Sequence, residues 1–124
     1  DAGLVHKLTG CCPSVAVHVL WDFADPGNPA TGTQTAELAR KHGIRIGSIN
    51  PNVFQDQAYK LGSFCSPDPD ARDAAMKHTL DSIALGAAVD SPSLSMWLAD
   101  GTNYPGQDSF YRRKRDLQQA FRRI

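Results

Sequence analysis

Cysteine is scarce and badly placed for cross-linking in this chain of 124 residues: Cys11 and Cys12 are adjacent and Cys65 is alone. Neither a disulfide framework nor a four-cysteine zinc site can be built from an odd count so arranged, which leaves reduced, packing thiols. Excess charge is missing too, with 13 Lys+Arg against 13 Asp+Glu and a net charge of zero. Nucleic acid is therefore not expected as a partner, although Arg112, Arg113, Lys114, Arg115, Arg122 and Arg123 make the last segment locally basic. No run approaches the roughly 20 apolar residues that a membrane span needs, and residues 1–10 lack the apolar core of a signal peptide. No membrane partner and a cytoplasmic address are the expectations. Nor does a G-x-G-x-x-G or G-x4-G-K-[ST] loop follow any candidate strand, which speaks against nucleotide binding.

What is present alternates between the two hydrophobic periods. Leu4, Val5 and Leu8 sit at helical spacing in the first residues, and Leu117, Phe121 and Ile124 continue a helical stripe from Phe110 to the last residue without a stop signal. A fragment is the expectation from both ends. Residues 15–20 (VAVHVL) and 44–49 (IRIGSI) read as short buried strands, the second closed by Asn50-Pro51-Asn52, since Pro51 has no N–H for a ladder. Residues 94–99 (LSMWLA) read as a third strand. Ala36, Leu38 and Ala39 give a short helix stopping at Gly43, and Ser66-Pro67-Asp68-Pro69-Asp70 is a strong helix start. In that long helix Met76, Leu80, Ile83 and Ala87 form the stripe expected to face a sheet. Strands separated by helices imply parallel pairing with right-handed crossovers and so an α/β fold. Two architectures fit: a self-contained doubly wound domain, or less than half of a (β/α)8 barrel, which needs roughly 250 residues.

The polar residues gather at or near the carboxyl ends of the three expected strands, the active face of either architecture. His18, a titratable ring inside an apolar strand, is either a proton shuttle or substrate contact, or a buried histidine satisfied by a backbone carbonyl. Trp21 and Trp97 could wall a pocket against the apolar face of a sugar ring, with plain core tryptophans the simpler reading. Asp22, Asp56 and Asp100 are candidate metal ligands or bases; scattered as they are, Asp22 and Asp100 fit better as caps. Phe54, in the long loop of residues 50–65, could cover a pocket or anchor its own loop. The basic segment from Arg112 to Arg123 reads as a solvated helix face, and His6, His42 and His78 as surface positions without a role.

Three stretches are more specific: VHKLTGCCPSVAVHVLWD (residues 5–22), IGSINPNVFQDQAYKLGS (46–63) and MWLADGTNYPGQDSFYRR (96–113). In order and spacing they resemble the L-rhamnose isomerases and related broad-specificity aldose-ketose isomerases of the xylose-isomerase-like barrel superfamily. The resemblance covers nearly the whole chain, and the string W-x-x-D-G-[ST]-N-[YF]-P-G-Q at residues 97–107 is its most telling part. It implies one incomplete domain over residues 1–124, a partial (β/α)8 TIM barrel from about helix 1 through strand 4 and the start of helix 4. It further implies a metal-dependent sugar isomerase of the L-rhamnose/L-rhamnulose type whose divalent cations, typically manganese, are held by Glu, Asp and His from later strands. The partner is then a small-molecule sugar, and the full-length protein is expected to be a homo-oligomer. By the same resemblance His18 contacts substrate oxygens, Trp97 walls the sugar pocket, and Phe54 lies near that pocket; no catalytic or metal-ligating residue carries over, and this chain alone is expected to be inactive. The sequence departs from the family at Val19 and Leu20, where the usual H-I-P-W-D has Ile-Pro, and at Asn50-Pro51-Asn52-Val53-Phe54, where N-S-N-T-F is usual. A sugar 3-epimerase of the same superfamily, a non-catalytic doubly wound small-molecule-binding module and an oligomer-interface piece are the alternatives.

Overall fold

The computed structural model describes residues 1–101, 106 and 108–124. They group into two compact units: Asp1–Pro51 with Asp81–Met96, and Asn52–Leu80 with Trp97–Ile124.

The first unit runs α1 (Ala2–Thr9), β1 (Ser14–His18), a single helical turn α2 (Val19–Asp22), a 3-10 turn (Pro29–Thr31), α3 (Gly32–Lys41) and β2 (Arg45–Asn50), and takes in the end of α4 (Pro69–Ala88). β1 and β2 pair in parallel, so the chain must cross over between them, and α3 lies in that crossover. The result is a small parallel sheet within an α/β arrangement. Its core is apolar, with Val17, Val19, Phe23, Ala36, Ala39, Ile46, Ile49, Leu85 and Val89 buried together.

The register contains a bulge. Val15 faces Ile46 but Ala16 faces Ser48, so β2 spends one extra residue, Gly47. Glycine is required there, because a Cβ would lie 2.7 Å from Ser14 Oγ and 2.9 Å from Ser14 Cβ. The extra residue is what brings Asn50, rather than Ile49, opposite His18.

Three expectations about strands need correction. β1 stops at His18 and residues 19–22 turn helically, because the Asp22 carboxylate accepts the His18 N–H (2.7 Å) and folds the chain back. β2 is shifted by one residue, from 44–49 to Arg45–Asn50. The third strand, expected at residues 94–99 as strand 4 of the barrel, is reduced to one parallel bridge between Leu94 and Ile49. Ile49 N–H donates to Ser93 O (3.1 Å) and Ser95 N–H to Ile49 O (2.9 Å), and the next donor in a parallel ladder would be the N–H of residue 51. That residue is Pro51, so the proline that closes β2 also denies its neighbour a ladder.

The second unit holds a 3-10 turn (Gln57–Tyr59), the beginning of α4 and α5 (Phe110–Phe121). α4 begins as its sequence dictates: Ser66 Oγ accepts the Asp68 N–H (3.2 Å), Asp68 Oδ1 accepts the Asp70 N–H (3.0 Å), and Pro69 opens the first turn. It ends before Asp90, which takes a left-handed φ of 57°, a conformation that aspartate tolerates. The buried face of α4 is not the expected stripe. Ala71, Ala75, Thr79, Ser82 and Leu85 are inside, while Leu80, Ile83 and Ala87 are exposed; of the four expected residues Met76 alone is buried. Small side chains set the inner face, and the one buried threonine hydroxyl returns its hydrogen bond to Ala75 O (2.9 Å) within the helix. α5 is capped by Ser109, whose Oγ accepts the Arg112 N–H (3.3 Å). Among the described residues no helix is long and apolar enough to cross a membrane.

Candidate functional site

The first unit places His18 and Asn50 at the carboxyl ends of adjacent parallel strands, directly opposite each other in the register. Their side chains therefore meet, with Asn50 Nδ2 3.3 Å from His18 Nε2. Ser48 Oγ donates to Asn50 Oδ1 (3.3 Å), which fixes the amide so that its NH2 faces the imidazole. Because the amide nitrogen only donates, Nε2 is the acceptor in this contact. The Trp21 ring lies 4.0 Å from the imidazole, tilted by 35°, and the Asp22 carboxylate holds the His18 backbone N–H. Three groups thus orient one half-buried histidine. Trp21 itself is exposed, contrary to the reading as a core tryptophan.

In the second unit Phe54 and Trp97 come together, 43 positions apart in sequence as their numbers show, with ring centroids 5.9 Å apart and planes tilted by 35°. Trp97 is 60% exposed, so the core reading fails here as well; the pair presents an aromatic surface rather than filling an interior. Three residues after Trp97 comes a carboxylate at the centre of a hydrogen-bond cluster. Asp100 is 8% exposed and accepts from Ser63 Oγ (2.5 Å), Cys65 N–H (2.7 Å) and Phe64 N–H (3.4 Å). Arg113 closes the cluster from α5: its Nη1 donates to Asp100 O (2.8 Å), its Nη2 to Leu61 O (3.1 Å), and its Nε to the Asp108 carboxylate. Arg112 Nη2 reaches the other oxygen of Asp108 at 2.6 Å. These two arginines hold the Asp108 carboxyl down at about 2, Arg112 contributing most. Burial, reinforced by the nearby Asp100 charge, pushes the Cys65 thiol up to about 11 and makes it a poor nucleophile.

The three scattered aspartates are all engaged as backbone acceptors. Asp22 takes the His18 N–H, Asp56 the Ala58 N–H (2.8 Å), and Asp100 the 64–65 amides. Among the described residues no three His, Cys, Asp or Glu side chains converge in a way that could hold a metal ion. Sequence reasoning missed two roles. Arg113 belongs to no solvated face, since its side chain is only 13% exposed and pairs with Asp108, and His78, half-buried, accepts the Asn52 N–H on Nε2 (3.0 Å). Asp108 lies only five residues from Arg113, but Leu61 and Asp100 reach Arg113, and Asn52 reaches His78, only through the fold. Of the string at residues 97–107, Thr102, Asn103, Tyr104, Pro105 and Gln107 lie outside the described residues.

With both clusters in view, the likeness to known proteins acquires a structural setting. The chain is similar to a segment of sugar isomerases. A probable sugar isomerase of Mesorhizobium japonicum is 33% identical over 117 residues, covering 90% of this chain and 26% of that protein. A probable sugar isomerase of Rhizobium meliloti is 32% identical over 118 residues, again 90% and 26%. A xylose isomerase of Thermus thermophilus is 34% identical over 55 residues, or 44% of this chain and 14% of that protein. The chain thus spans about a quarter of the length of the first two relatives. No family model matches it.

Proposed function

We propose that this chain is the part of a (β/α)8 barrel running from helix 1 to the region of strand 4, in an enzyme that interconverts an aldose and a ketose, of the L-rhamnose/L-rhamnulose type. The observation that carries this reading is the likeness to the two probable sugar isomerases across 90% of the chain. The parallel pairing of β1 and β2 and the polar groups at their carboxyl ends agree with it. In this reading His18, held by Asn50, Trp21 and Asp22, contacts sugar oxygens, and the resemblance adds Trp97 and Phe54 as aromatic residues that face a sugar. The manganese or other divalent cation of such an enzyme is held by residues other than those described here, and no step assigned to this chain runs through it. The partner is a small sugar; the assembled protein is a homo-oligomer of the cytoplasm.

The test is steady-state kinetics with aldoses and manganese on the protein that contains this segment. His18→Ala is expected to raise KM for the preferred aldose about tenfold, the worth of one hydrogen bond to an uncharged hydroxyl. Unchanged KM and kcat would remove His18 from the site. Epimerisation at C3 without aldose formation would replace the isomerase reading, and this chain by itself is expected to show no turnover.

A further inference from the structure

We infer that Asp100 is a positioning residue for the aromatic surface: it clasps the loop that bears Phe54 to the segment that bears Trp97. The two rings arrive from stretches of chain with no regular ladder between them among the described residues, so something other than a sheet must set their separation. Asp100 stands three residues after Trp97, and its two carboxylate oxygens take up Ser63, Phe64 and Cys65, the far end of the loop that starts beside Phe54. Both ends of that loop are thereby pinned. The Asn52 N–H, two residues before Phe54, is held by His78, and residues 63–65 are held by Asp100, with Asp56 capping the 3-10 turn between them.

The clasp is built to closer tolerance than a loop staple requires. Gly62 has φ 119°, and a Cβ on it would lie 2.9 Å from Asp100 Oδ1 and 3.2 Å from Arg113 Nη1, so only glycine lets the loop close over the carboxylate. Ser63 and Cys65 are almost wholly buried at the contact, which makes each hydrogen bond costly to leave unmade. Arg113 then binds the backbone on both sides of the clasp, at Asp100 O and Leu61 O, so α5 braces the same geometry from outside. The Asp100 carboxylate bonds to residues 63–65 of the loop. It acts on whatever lies against the rings only by fixing where they stand.

That the ring pair receives a sugar rests on the function proposed above; that Asp100 places the pair does not, and the two are tested apart. In the 124-residue chain, the nuclear Overhauser contact between the Trp97 and Phe54 ring protons reports the placement, and the His18–Trp21 contact in the first unit reports folding. Asp100→Ala is expected to abolish the Trp97–Phe54 contact and leave the His18–Trp21 contact in place. Asp100→Asn, which keeps one carbonyl oxygen for the Cys65 N–H, is expected to restore part of it. A merely structural carboxylate would lower the melting temperature and leave the ring contact intact, and that result overturns the proposal. Should Asp100→Ala unfold the second unit, Ser63→Ala decides: it removes one of the three bonds and is expected to weaken the ring contact, and an unchanged contact overturns the proposal equally. If the ring contact is lost as expected but an aldose never shifts the Trp97 resonance in the unsubstituted protein that contains this segment, the positioning stands and the sugar reading for this surface falls.

Discussion

In the first unit a sheet and two helices close over a cluster of valine, isoleucine, leucine, alanine and phenylalanine side chains, whereas in the second two carboxylates, two arginines and a serine hydroxyl hold a loop to a helix. Burial of carbon is non-directional and nearly indifferent to pH; a clasp of charged and polar groups fixes positions to fractions of an ångström and depends on each group keeping its protonation state. The part that must hold two aromatic rings at a set separation is the part built from directional bonds. The part that must only bury its faces is built from oil-like contacts. Shape and placement are thus assigned to different chemistry within one short chain.

Removing carbon from the first unit should have the largest effect on stability. Ile49 is fully buried and bridges to Leu94, so Ile49→Ala is expected to cost about 3–4 kcal/mol in urea unfolding, with loss of amide protection in β1 and β2. A cost under about 1 kcal/mol would mean that this core is not what holds the unit. Next in size is a response to pH confined to the second unit. Asp108 is held at about 2 against an ordinary 3.8, so its contribution is complete above about pH 4 and fades as pH falls towards 2. The Cys65 thiol is raised from 9.0 to about 11, so the preference for its neutral form is complete below about pH 9 and is lost as pH rises through 11. Hydrogen exchange followed across pH should therefore show α5 and residues 61–66 loosening at both extremes, and Asp108→Asn should remove the acid limb; equal loosening of β1 and β2 would dissolve the contrast. The smallest effect on the fold, and the simplest to read, is thiol labelling. At pH 8 iodoacetamide should modify exposed Cys11 and Cys12 while buried Cys65 reacts on the order of 100-fold more slowly, a difference that peptide mass spectrometry resolves.

The local signals in the sequence were enough for the elements whose causes are local. The start of α4 follows from Ser66 and Asp68, and Asp22 and Asp56 act as acceptors for amides close by. What stayed hidden depends on partners distant in sequence. The missing third strand is caused by Pro51, some forty residues earlier, whose effect on a neighbouring strand has no mark in LSMWLA itself. The inner face of α4 was misread because Leu80 and Ile83 carry the larger hydrophobic signal, while the packed face uses Ala75, Thr79 and Ser82, residues chosen for closeness rather than for apolarity. At the candidate site, His18, Phe54 and Trp97 stood out by type and by resemblance, but the groups that orient them, Asn50, Asp100 and Arg113, became visible only once the chain was folded.

The extra glycine in β2 works as a change of phase. Before it the buried residue of the strand is Ile46 and after it Ile49, a step of three where an uninterrupted strand would step by two. A strand that counts one residue more than its partner has no second register in which both its isoleucines and its asparagine are correctly turned. Lengthening or shortening β2 by a single residue would point Asn50 away from His18 and expose an isoleucine in the same stroke, so mutation can alter the identity of the residues at this strand end far more freely than their number.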